Sequence, residues 1–521
     1  MEKTAKRSHT TAWLLLIILL GLGLRVAGLA WGQGYSVFAS ADSLEAYQFT
    51  VDYARGDARA QYIGQPNYNE HSKLPGPLWT LFCYAGLRLW GSIDGVIVET
   101  ILLNTAAIYL IYLLAKRVLG PEGSLWAALL AATSPFPIFY SNFLYNPNVM
   151  PFFGACLFLA LWEVVRKERS RSIFWVMFLL LILAQFHLSV LSLLPSVLIL
   201  LALSSVRLNV PWLIGGVATG LLCYVPYVRG EMAHGWQNTL QMGSGRAGHW
   251  WGGLKAVVAP WNLLVNYVPQ WTRGAKDYQQ LGKACFGSFA VLVILNILSG
   301  LVALFLLAGM SQEIKTAMRG IWRSPRQAFN RSPGVLFLAI LLIVPLFFSL
   351  VSRQSFHARY AIVLFAPLLA LAGFAVKKWL ASPRISRFFL PAIIIMICGN
   401  VWFMLAMYHD QNVRITQSNI FYSSFSNLEI VYQDLKHHAG AGGVQVDDAA
   451  YLASLSPTDR YHHDAKLIRR YVAMREKETG ALSDNQTATF MLLAADQVTP
   501  ADPAIAYRDH GIALVAAPPA H

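Results

Sequence analysis

Two acids stand together just past the first long apolar run: Asp42 and Glu45, within "ASADSLEAYQF" at 39–49. A carboxylate fixed where lipid meets water is well placed to act as a general base, because it can take the proton from an attacking hydroxyl. The same two residues also have a purely structural use. Leu44, Tyr47, Val51 and Ala54 recur at helical spacing, which predicts an amphipathic helix lying along the membrane and ending at Gly56. Asp42 would be its N-cap, and Glu45 three residues later would complete a capping box. Capping and catalysis place the two carboxylates at the same spot, so both readings stand at this point.

The elements that must position these acids are membrane helices. Of the 521 residues 56% are hydrophobic and only 13% charged, against roughly a quarter charged in a soluble domain. Apolar runs of spanning length recur, and lipid leaves a backbone no partner outside its own helix. The net charge of +14 would suggest nucleic acid on a soluble chain. Here the basic residues gather between apolar runs, as expected of cytoplasmic loops, and no nucleic-acid module is present. The five cysteines all lie in apolar segments without C-x-x-C spacing and read as packing residues.

Sidedness follows from the basic clusters. Lys3, Lys6 and Arg7 keep the N-terminus cytoplasmic, so the run Ala12 to Trp31 reads as an uncleaved first span that delivers Asp42 outside. Lys116 and Arg117, Arg166 to Arg171, Arg207, Lys315 to Arg331, and Lys377, Lys378, Arg384 and Arg387 belong inside. Only one crossing fits between the first outer loop (32–74) and Lys116. The shorter apolar run there, Pro75 to Trp90, is therefore expected to be re-entrant or interfacial. Further spans fall near 124–141, 151–165, 173–188, 190–206, 211–228, 285–309, 334–352, 361–376 and 388–407. This predicts an all-α polytopic protein of the plasma (inner) membrane with about 11 spans. The membrane module is 1–408, with a second long outer loop at 230–283. The polar tail 409–521 mixes helix-like stretches with strand-like ones ("ATFMLLAA", "GIALVAA") and reads as a small extracytoplasmic α/β domain. Its "KHHAG", "VDDAA" and "YHHD" lack metal-ligand spacing and read as solvated surface.

The order of motifs resembles the GT-C membrane glycosyltransferases, in the polyprenyl-phosphate-dependent branch of protein O-mannosyltransferases and aminoarabinose transferases. Carrying the resemblance are Asp42 in "ADSLEAY", "HSKLPGPLW" (71–79), "YNPNVMPFF" (145–153) and "RYAIVLFAPLLALAG" (359–373). It implies a GT-C-like fold and a hexosyl- or pentosyltransferase. The donor would be a sugar on a polyprenyl phosphate, and the acceptor an extracytoplasmic lipid, glycan or protein. Asp42 maps onto the family's base, and Glu45 joins it as a candidate catalytic residue. A phosphate is a weakly basic leaving group, so it needs positive charge nearby more than a proton donor. Lys73, Arg353, His357 and Arg359 are the candidate phosphate holders, and His71 and Tyr360 complete the substrate-binding set. Snorkelling at a helix end is the bland alternative for the cations of "SRQSFHARY", although the positive-inside rule makes such a cluster less expected outside.

One departure stands out. Where the family has a second acid this chain has Asn146 and Asn148, which orient a hydroxyl or ligate weakly but carry no charge. No cofactor is implied with certainty, and a divalent metal stays open. Within the spans, Arg25 is expected to snorkel or pair with the loop. Glu99 and Asn104 are expected either to be functional or to hydrogen-bond between helices. The competing function is a lipid or polyol transporter or flippase, which would put its ionisable groups along a path through the bilayer centre.

Overall fold

The computed structural model describes residues 2–31, 41–65, 73–92, 94–243, 257–265, 279, 282–283, 285–319, 321–351, 358–413, 425–439, 443–447, 468–469, 471–476, 487–494, 505–509 and 512–516. The chain opens with helix α1 (Glu2–Trp31), followed by α2 (Ala41–Ala54), α3 (Leu78–Trp90) and α4 (Asp94–Leu119). Asp94 at the start of α4 and Lys116 and Arg117 at its end complement the helix dipole. Next come α5 (Ser124–Thr133) and α6 (Pro135–Ser141), which the sequence suggested as one span. Pro135 has no N–H to continue the ladder, so the run breaks at Ser134.

The bundle continues through α7 (Met150–Val165), α8 (Ile173–Phe186) and α9 (Leu194–Ser204). Between α8 and α9 the helix is broken at His187, whose backbone is extended, ahead of a 3₁₀ turn at Leu188–Leu193. Helices α10 (Val210–Leu222) and α11 (Val225–Ala233) meet at a bend of 47°. A short α12 (Gln237–Gly243) follows, then long helices at Phe289–Ala317, Pro333–Val351, Phe365–Leu380 and Pro383–Val413.

The chain is an integral membrane protein. Among the described residues seven helical stretches are long and apolar enough to span, or eight if the bent pair α10–α11 counts as one. Three shorter apolar stretches, Ser124–Thr133, Ser170–Phe186 and Leu188–Ser204, occupy the remaining places where hydropathy suggested spans.

One end of the bundle collects the basic clusters. Arg117 at the end of α4 pairs with Glu163 of α7 at 3.0 Å. Lys378 pairs with Glu313 at 2.7 Å and Lys377 pairs with Glu122. These contacts tie together the ends of four helices and the turn that leads into α5. Following the helices back along their length, the Asn146 turn, Gln185 and Leu364 lie at the other end.

Beyond the last long helix, which runs five residues past the suggested boundary at 408, the tail contains helix Phe425–Ala439 and a four-stranded sheet of order β1-β2-β4-β3. Strands β1 (Gly443–Asp447) and β2 (Thr487–Ala494) are parallel, while β4 (Ile512–Ala516) is antiparallel to β2 and to β3 (Ile505–Asp509). Leu428, Leu435, Val444, Val472 and Phe490 are buried around the sheet. Tyr471 donates to Glu429 at 2.6 Å, and burial followed by that carboxylate pushes its pKa up. Tyr47 of α2 is also within its electrostatic reach, which puts the tail beside α2.

Candidate active site

Helix α2 presents three stripes. Leu44, Tyr47 and Val51 form one and Ser43, Ala46 and Thr50 a second, all of them buried. Apart from Ala54, which is exposed, the apolar stripe is thus covered by protein, which corrects the expectation of a helix resting its apolar side on lipid. The third stripe carries Asp42, Glu45 and Phe49 at i, i+3 and i+7, all half-buried, so the two carboxylates point the same way. The helix begins at Ala41, which puts Asp42 inside the first turn rather than at the cap. That corrects the capping-box reading. At this position the carboxylate still meets the positive end of the helix dipole.

Lys73 meets this stripe from the first loop. Its ammonium lies 4.9 Å from the centroid of the Phe49 ring, a geometry in which the ring quadrupole attracts the charge. Burial lowers its pKa and nearby Arg59 lowers it further, while Glu45 pulls the other way. Among the described residues no carboxylate approaches the ammonium within ion-pairing distance. The structure therefore brings Glu45 and Arg59 each within electrostatic reach of Lys73, with Asp42 one turn from Glu45 along the same face of α2. Exposed Arg59 is a cation that sequence reasoning missed, since nothing in its local sequence sets it apart from an ordinary loop arginine.

The backbone of Lys73 is tied down. Leu74 donates to the Gln65 carbonyl at 3.1 Å and accepts from Gly64 at 3.0 Å. Asn238 of α12 accepts from the Lys73 N–H at 2.6 Å and donates to its carbonyl at 3.1 Å.

Beneath the loop runs a relay of buried amides. Trp79 of α3 donates from Nε1 to Gln65 Oε1 at 3.1 Å, and Gln65 donates from Nε2 to Asn146 Oδ1 at 3.2 Å. Asn146 in turn donates to the Phe186 carbonyl at the end of α8. Gln185 donates to the Cys223 carbonyl at 3.0 Å and lies directly against Gly76. A Cβ on Gly76 would sit 2.0 Å from Gln185 Oε1, and its φ of +138° also favours glycine. Asn148 is fully buried; it donates to the Phe143 carbonyl, and its own carbonyl accepts from Asn104 at 3.0 Å. Both asparagines are thus bonded into protein, on a 3₁₀ turn at Asn146–Val149.

Against that turn packs a second 3₁₀ segment, Ala358–Leu364, whose backbone includes Arg359 and Tyr360. The fold thereby unites two motifs lying more than two hundred residues apart. His71, Arg353 and His357 lie outside the described residues. Among the described residues no three His, Cys, Asp or Glu side chains cluster as a metal would require. One lone pair of the Asn146 carbonyl already accepts from Gln65.

The intramembrane polar residues resolve differently from one another. Arg25 is only 1% exposed, which overturns the snorkelling expectation. It donates to the carbonyls of Gly21 at 2.8 Å and Ala131 at 3.2 Å. The cation thus caps the carbonyl end of α5, which the break at Ser134 leaves without partners. Asn104 bonds Ser141 at 3.0 Å, the interhelical alternative.

Residues 73–229 match the family described as dolichyl-phosphate-mannose-protein mannosyltransferase. No curated protein matches the chain by sequence. Among solved structures, ArnT from Cupriavidus metallidurans bound to undecaprenyl phosphate superposes with a TM-score of 0.59 at 15% identity, covering 97% of this chain and 98% of that one. The apo form of the same protein gives 0.55 at 14% identity with the same coverage. At these identities the likeness is one of fold. The resemblance read from the motif order holds at that level over nearly the whole chain. In sequence it holds over a segment that begins at Lys73, takes in Asn146 and Gln185, and leaves out Asp42.

Proposed function

We propose that this protein is an integral-membrane glycosyltransferase that moves a sugar from a polyprenyl-phosphate carrier to an acceptor outside the cytoplasm, with inversion. The observation that carries the reading is the meeting of the acid stripe of α2 with a half-buried lysine that has no ion-pair partner among the described residues. Support comes from the family match over 73–229 and from the fold shared with ArnT, whose structure is described as bound to undecaprenyl phosphate.

Asp42 accepts the proton of the acceptor hydroxyl as its oxygen bonds to the anomeric carbon. The bond from that carbon to the phosphate oxygen breaks, and the carrier phosphate leaves with the electron pair. Lys73, with Arg59 and the cations near Arg359, stabilises the negative charge that gathers on the departing oxygen. Glu45 keeps the Lys73 side chain over Phe49. Asn146 and Asn148 act by positioning, since their amides hold the surrounding turns. His71, Arg353, His357 and Tyr360 complete the grip on the donor. The basic end faces the cytoplasm, and the site and the tail domain face outward from the inner membrane.

The test is Asp42→Asn in purified protein, assayed with a polyprenyl-phosphate-linked sugar. Asparagine matches aspartate in size but cannot take the proton, so transfer drops by a factor of about 100 or more with the melting temperature nearly unchanged. Transfer at the unaltered rate would overturn the assignment of the base.

A further inference from the structure

The second outer loop grips the first at two places. At one, the Tyr62 ring stacks on His234 with centroids 5.2 Å apart and planes 18° apart. It also presses so closely on Gly230 that a Cβ there would come within 2.0 Å of the ring. At the other, eleven residues along the first loop, one carboxamide holds both polar groups of the Lys73 peptide backbone. Asn238 accepts from the Lys73 N–H at 2.6 Å and donates to its carbonyl at 3.1 Å. Asn238 also donates to the Tyr227 hydroxyl at 3.1 Å. That hydroxyl lies 2.8 Å from Thr239 Oγ1, and the Thr239 N–H is accepted by buried Glu231 at 2.7 Å. The clamp thus rests on the body of α11.

We infer that Asn238 is a positioning residue for the carrier phosphate: it fixes the Lys73 backbone so that the ammonium stands ready over Phe49. The inference rests on the proposal that Lys73 grips the phosphate. A side chain of four flexible methylenes presents a charge accurately only if its Cα is fixed, and ordering it before binding lowers the entropy lost on binding. A carboxamide offers on adjacent atoms the donor and the acceptor that a peptide C=O and N–H require. Residue 238 lies 165 positions from Lys73, so the second loop sets the geometry of a phosphate holder in the first.

The experiment measures binding of undecaprenyl phosphate to the purified full-length protein in detergent, in the unaltered chain, Asn238→Leu, Lys73→Gln and the double variant. Leucine keeps the size and adds no charge. Asn238→Leu is expected to weaken binding about tenfold, which corresponds to the loss of roughly one well-formed hydrogen-bonded contact. In the Lys73→Gln background the same change is expected to add little, because the clamp acts through Lys73. An equal loss in both backgrounds, or no loss in either, overturns the clamp. If Lys73→Gln itself leaves binding unaltered, the phosphate-holder reading fails instead. Should Asn238→Leu fail to fold, Tyr227→Phe decides. Removing the hydroxyl that anchors Asn238 weakens binding by a factor of about three, and no change there overturns the clamp.

Discussion

The two ends of the helix bundle treat lysine in opposite ways. At the basic end Lys377 and Lys378 each reach a glutamate, and Arg117 reaches Glu163 at 3.0 Å, with side chains that remain partly in water. At the other end Lys73 is half-buried against an aromatic ring, has its charge disfavoured by its surroundings, and meets no ion-pairing carboxylate among the described residues. Solvated pairs contribute little and cost little. A desolvated cation without a partner costs folding free energy, and it persists where an anion completes it. The contrast singles out, among many basic residues, the one for which we propose a part in the chemistry, a distinction that counting charges cannot make.

The largest expected effect comes from removing the unusual cation. Lys73→Gln is expected to lower kcat/KM for the lipid-linked donor by a factor of about 100 or more. A drop of less than a few-fold would mean that the two ends do not differ in function. The direction of the pKa shift adds a pH signature. Lys73 is held below the ordinary 10.5, so its ammonium, and with it the proposed binding of undecaprenyl phosphate, is expected to be lost as pH rises through a value lower than that of a free lysine. The same shift means that the charged form opposes folding at neutral pH, an opposition relieved as pH rises. A binding profile that falls only at or above the ordinary lysine range would contradict the burial of this side chain.

A smaller effect is expected from placing an acid on the buried turn, where the resemblance implied one. Asn146→Asp keeps an acceptor for Gln65 but loses the donor to the Phe186 carbonyl and places a charge where only 4% of the residue is exposed. The expected cost is about 3 kcal/mol of stability at neutral pH. It is expected to shrink as pH falls and the new carboxyl takes up a proton, which restores a donor. Thermal unfolding across pH measures both. An unchanged melting temperature would show that the amide relay does not support the turn.

How much of this was legible in the sequence depends on the distance over which each contact acts. The α2 acids and the apolar helices follow from local spacing, Lys73 comes from the resemblance carried by "HSKLPGPLW", and the tail strands Thr487–Ala494 and Ile512–Ala516 show as short apolar runs. Strands Gly443–Asp447 and Ile505–Asp509 were hidden because five residues carrying polar side chains give too little pattern. The amide relay was hidden for another reason. Gln65 and Asn146 lie 81 residues apart and Asn238 and Lys73 lie 165 apart, and an amide in a loop looks the same whether it faces water or a buried carbonyl. The apolar stripe of α2 was visible as a stripe, but local spacing does not say whether lipid or protein covers it. Arg25 was hidden similarly, since beside the local Gly21 carbonyl its partners are carbonyls freed by a proline more than a hundred residues away.

The smallest expected effect belongs to the other end of the comparison. Lys377 and Glu122 have side chains 40% and 66% exposed. Water screens such a pair, and holding two long side chains together costs entropy that offsets most of the attraction. Lys377→Gln is therefore expected to change stability by no more than about 0.5 kcal/mol and to leave transfer unchanged. Measured beside Lys73→Gln in one preparation, it separates a lysine that is paired with a solvated glutamate from one with a clamped backbone that meets no ion-pairing carboxylate among the described residues. Equal losses of transfer in the two variants would attribute the effect to general disturbance of the bundle, and the distinction between its ends would fall.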